Sequence, residues 1–67
     1  MKINNEYQSY SHNTKTYGVI FQNLEKAKAH SQSLSAMCRC GYDVVDRNTG
    51  EIMAQYNSGN LTYESGR

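Results

Sequence analysis

The histidines and cysteines of the chain, His12, His30, Cys38 and Cys40, are all possible metal ligands. Structural zinc sites take their cysteines from C-x₂₋₄-C spacings backed by a second matching pair. Here the spacing is C-x-C at the end of a helical stretch, where residues two apart point ~200° away from each other. Cys38 is then expected to face the core as a small apolar residue and Cys40 to face water, with His30 on the flank near Met37. No metal site follows. A bridge between Cys38 and Cys40 would close almost no loop, so no covalent staple is expected and melting should not depend on chelator or reductant.

Nucleophilic catalysis has little support. Cys40 lies at the negative end of the helix dipole, which disfavours a thiolate, and no histidine is tied to it by local sequence. Asp43 and Asp46 would sit on opposite faces of one strand, and Asp46 reads as a hairpin-rim residue that bonds turn backbone. No glycine loop suited to phosphate is present, and 67 residues provide few walls for a water-excluding pocket. The sequence therefore predicts no enzyme and no cofactor.

Binding chemistry remains. Lys26 and Lys28 on a helix, Arg47 at a hairpin tip and several tyrosines able to stack on bases describe a nucleic-acid surface. Against it stand seven Lys/Arg and six Asp/Glu, a net charge of +1, which neutralises few phosphates and exerts little long-range field. Protein binding fits better. Strand register makes Val45 and Met53 an apolar pair on an otherwise polar sheet face, with Arg47 and Tyr17 as further contributors. Aromatic and Met side chains beside an Arg make an interface core. The same surface could close a homodimer, which would relieve the small core of so short a chain.

The elements that position these residues are legible in the spacing. Tyr42–Val45 and Ile52–Tyr56 alternate apolar and polar residues around Asn48-Thr49-Gly50, which reads as a three-residue hairpin loop with Gly50 in the left-handed conformation. That register sets Arg47 opposite Glu51, Val45 opposite Met53, Val44 opposite Ala54 and Tyr42 opposite Tyr56. A two-residue turn at Ser58-Gly59 then pairs Tyr56 with Leu61 and Ala54 with Tyr63. Both turns place Tyr42, Val44, Ile52, Ala54, Tyr56, Leu61 and Tyr63 on the covered face of an antiparallel meander.

Upstream, Asn23 is a good N-cap for a helix whose stripe is Leu24, Ala27, Ser31, Leu34 and Cys38. Gly41 is placed to end it in the left-handed conformation. Thr16–Gln22 reads as a strand feeding the helix. Ile3–Tyr10 is a weak polar strand at a sheet edge, joined to it through Ser11–Lys15. The fold class is α+β over a single domain, residues 1–67: an antiparallel sheet in the order β-β-α-β-β-β, one helix packed across one face.

No apolar run follows Met1-Lys2, so neither a signal peptide nor a membrane span is expected. The two cysteines are too few for a secreted disulfide scaffold. A cytoplasmic location is the expectation.

In its size, its one-helix-on-a-sheet plan and the stretch Gly41-Tyr42-Asp43-Val44-Val45-Asp46-Arg47-Asn48-Thr49-Gly50-Glu51-Ile52, the chain resembles the small accessory proteins of phages and mobile elements, anti-CRISPR proteins among them. That resemblance implies an inhibitor that occludes a host defence protein stoichiometrically, without chemistry. It transfers no site residue.

Overall fold

The computed structural model describes residues 5–65; residues 3 and 4 of the expected first strand lie outside them. The elements are β1 (Tyr7–Ser11), β2 (Thr16–Phe21), α1 (Leu24–Cys38), β3 (Gly41–Asp46), β4 (Ile52–Asn57) and β5 (Asn60–Glu64). They form one five-stranded sheet in the order β2-β1-β3-β4-β5, every neighbouring pair antiparallel. The helix packs against it, as the α+β reading requires.

One placement differs. β1 is not an edge strand; it lies between β2 and β3. Its inward positions are Tyr7, Ser9 and Ser11, all buried. Two serines on the core side hide the alternation that marks an interior strand. On the neighbouring strand Gly18 leaves the space that the Ser9 hydroxyl fills: a Cβ there would come 2.5 Å from it.

The core is small, formed by Tyr7, Ala27, Val44, Ala54 and Tyr56, with Phe21, Leu24 and Met53 packed on it. Ala27, Ser31 and Ser35 are the fully enclosed helix residues, so the helix approaches the sheet through small side chains. Asn23 caps it as expected, its side-chain oxygen accepting the Lys26 N–H at 3.1 Å.

The helix end departs from expectation. Arg39, not Gly41, takes the left-handed conformation (φ 53°, ψ 49°) and its N–H donates to Ser35 O. Cys40 N–H donates to the same carbonyl at 3.2 Å. This reversal brings the two cysteines together, Cα to Cα 5.4 Å, and they form a disulfide. Cys38 is consequently exposed rather than in the core. The divergence expected of two residues on a continuing helix fails because the helix stops between them. Ser35 ties this corner to the β4–β5 turn: its hydroxyl donates to Cys40 O at 2.8 Å and accepts Gly59 N–H at 2.9 Å.

The meander keeps its first pairs and loses its last. Tyr42 lies opposite Tyr56, and Val44 opposite Ala54, but Val45 faces Ile52 instead of Met53. Met53 is the extra residue of a bulge. The hairpin loop explains it. Asp46 N–H donates to Glu51 O at 2.8 Å, and Gly50 N–H to Asp46 O at 2.7 Å, so the loop is Arg47–Gly50, one residue longer than expected. The Asp46 carboxylate holds it by accepting Asn48 N–H at 2.8 Å, and Gly50 takes the expected positive φ of 78°. Ile52 therefore turns to the uncovered face, and Met53 packs on the core.

The Ser58-Gly59 turn forms with both residues at positive φ, 52° and 84°, and Tyr56 pairs with Leu61. A further bulge at Thr62 then pairs Gln55 with Tyr63 and Ala54 with Glu64. Tyr63 thus leaves the helix side and Glu64 enters it, where its carboxylate meets the Lys28 ammonium. Leu61 stays on the Tyr56 side but 45% exposed.

Candidate functional site

Register places two cross-sheet rows on the face away from the helix. One runs Tyr17, Tyr10, Asp43, Gln55, Tyr63; the other runs Ile20, Gln8, Val45, Ile52. Among the described residues no second layer covers this face. Tyr17, Ile20 and Tyr63 are 61%, 44% and 46% exposed. Large apolar side chains gathered on one bare face make it a candidate interaction surface.

The first row is held rigid at its centre. Asp43 is buried, and its Oδ1 accepts from His12 Nε2 at 2.8 Å and from Gln55 Nε2 at 3.1 Å. Tyr10 stacks at a tilt on both Tyr17 (centroids 4.8 Å apart) and His12 (6.0 Å). A buried carboxylate needs such partners to offset its desolvation. Their effect is to fix the rings that flank it.

Beside this row lies an open concavity of about 220 Å³, lined by Gln8, Tyr17, Val45, Asp46, Arg47 and Gly50. Gln8 is held in place in this lining, its amide donating to Gly18 O at 2.8 Å. Arg47 stands at the rim, 2.8 Å from the Glu6 carboxylate.

Three of the four residues expected to bind a partner, Tyr17, Val45 and Arg47, therefore meet at one cavity. Met53 does not: the bulge turns it onto the core, and Ile52 takes its place opposite Val45. Gln8, Asp43 and Gly50 were not singled out for this surface, because their role depends on which strand neighbours β1.

The cations considered for nucleic acid are engaged differently from expectation. Lys28 is not a solvated residue; its side chain is mostly enclosed and bonds Glu64. That hydrogen bond raises its pKa above the ordinary lysine value, with burial opposing and the Glu64 and Glu25 charges assisting. Nearby Tyr56 is pushed up chiefly by burial. Both sulfurs are in the disulfide, and among the described residues no group of three His, Cys, Asp or Glu is arranged to hold a metal ion. No helix of the described residues is long and apolar enough to cross a membrane. Comparison with protein-family models, curated proteins and solved structures finds no match for this chain.

Proposed function

We propose that this chain is a non-catalytic protein-binding module that docks through the bare face of its sheet. The observation that carries this reading is the meeting of Tyr17, Val45 and Arg47 at one concavity, next to a tyrosine row braced by Asp43. An aromatic wall, an aliphatic floor and an arginine rim make up the chemistry of an interface hot spot. The sheet edges are less suited to the task. β2 and β5 both carry bulges, around Gly18-Val19 and Thr62, and bulges blunt an edge against strand addition. A partner approaching the face meets no such obstacle.

Nucleic acid is disfavoured because Lys28 is enclosed and bonded to Glu64, and a net charge of +1 neutralises few phosphates. A small inhibitor that covers a host defence protein is the biological role in which such a module would serve. The test is capture from host lysate, identification by mass spectrometry and reconstitution with the purified partner. Tyr17→Asp, at an exposed position, should abolish a stoichiometric complex. Met37→Asp, on the 80% exposed helix flank, should leave it intact. Equal binding by both variants would refute the face.

A further inference from the structure

We infer that the concavity between Gln8, Tyr17, Val45, Arg47 and Gly50 is an anchor pocket for one apolar side chain of a partner peptide, followed by a carboxylate that Arg47 takes. This rests on the protein-binding reading above and specifies the chemistry of its partner.

Size comes first. At about 220 Å³ the concavity is below the ~300–1,000 Å³ of sites that enclose a drug-sized ligand or cofactor. It suits a single side chain, the unit by which interfaces anchor. Its surfaces are selective. Val45 forms an aliphatic floor and Tyr17 an aromatic wall, and Gly50 places no side chain in the way: a Cβ there would meet nothing within 4 Å. An aromatic or branched apolar side chain fits such walls.

Charge decides the neighbouring group. Two charged residues line the cavity. Asp46 is buried and its carboxylate is committed to Asn48 N–H, so it presents little charge outward. Arg47 is 43% exposed and pairs with Glu6, itself 39% exposed. A solvated pair of this kind contributes little and is readily exchanged. A partner carboxylate that arrives beside a filled pocket can therefore displace Glu6 from Arg47. In the same exchange the Arg47 fork keeps its charge-assisted hydrogen bonds.

The probes are N-acetyl-Phe-Asp-amide and N-acetyl-Phe-Lys-amide, titrated at millimolar concentration into ¹⁵N-labelled full-length protein. The Asp peptide should shift the amides of Gln8, Val45, Arg47 and Gly50, with the Lys peptide several-fold weaker. Glu6→Gln should tighten the Asp peptide by about two- to fivefold, the worth of a surface pair; Arg47→Gln should erase the preference between the peptides. Equal shifts from both peptides, or none at these residues, overturn the pocket. Shifts confined to Ile52 and Tyr63 overturn it too, yet leave the face reading standing, which falls separately if Tyr17→Asp retains the captured partner. A short oligothymidylate that outcompetes the Asp peptide at the same amides would also overturn it.

Discussion

Gly41 lies beneath the imidazole of His12: a Cβ at this position would come 2.5 Å from Nδ1 and 3.1 Å from Cγ. The absent side chain lets the ring lie flat against β3 and aim Nε2 at Asp43. A glycine that reads as a helix terminator is in fact the first residue of a strand, required by a neighbour 29 positions away in the chain (41 − 12). Gly41→Ala should push His12 off and leave the buried Asp43 with Gln55 alone. The expected cost is about 1–2 kcal/mol, measured by urea denaturation. A variant as stable as the parent would show that the His12 contact contributes nothing.

The Met53 bulge makes a prediction opposite to simple alternation. Met53 touches the core and Ile52 does not, so Met53→Ala should cost about 1–2 kcal/mol, less than the full range for enclosed residues because Met53 is only half-buried. Ile52→Ala should cost less than that. Reversed values would restore the unbulged register.

Lys28 and Tyr56 set an alkaline limit. Both are protonated in the folded protein and both have raised pKa values, from ordinary values of 10.5 and 10.0, Lys28 through its bond to Glu64 and Tyr56 through burial. A group whose folded pKa is raised contributes stability that is complete below its unfolded pKa and is lost as pH rises through the folded one. Melting temperature should therefore hold to about pH 10 and fall above it. Tyr56→Phe should make the fall shallower, and Glu64→Gln should remove the share due to Lys28. A profile flat to pH 11.5 (about one unit past the lysine reference) would contradict this.

The disulfide should be chemically evident and thermodynamically minor. Alkylating reagent should label neither Cys38 nor Cys40 until a reductant is added. Since the bridge spans a separation of two residues, chain entropy assigns it only about 1–2 kcal/mol, so reduction should lower the melting temperature modestly. Arg39→Gly should raise stability by about 0.5–1 kcal/mol, because glycine enters the left-handed region without a Cβ penalty. Immediate labelling of the unreduced protein would rule out the bridge.

Local chemistry made much of this fold readable. Asn23 had to cap a helix, Gly50 and Gly59 had to sit in turns, and alternation through Tyr42, Val44, Ala54 and Tyr56 had to put those four on one face. Each depends on residues a few positions apart, whose geometry the backbone alone imposes. Tyr17, Val45 and Arg47 were recognisable as surface candidates by type.

What lay beyond the sequence was set by contacts between distant segments. The Asp46 carboxylate adds one residue to a loop, and the bulge that absorbs it exchanges Ile52 for Met53, because a slip of one residue flips a side chain to the other face. The polar strand β1 becomes interior through its pairing with both β2 and β3, which buries Ser9 and Ser11 although nothing in their type demands it. Arg39 reverses the chain where Ser35 links the helix end to the β4–β5 turn, and only that reversal joins Cys38 to Cys40. The cavity itself combines three strands and a hairpin tip, and its existence follows from β1 lying between β2 and β3, an order that no local pattern encodes.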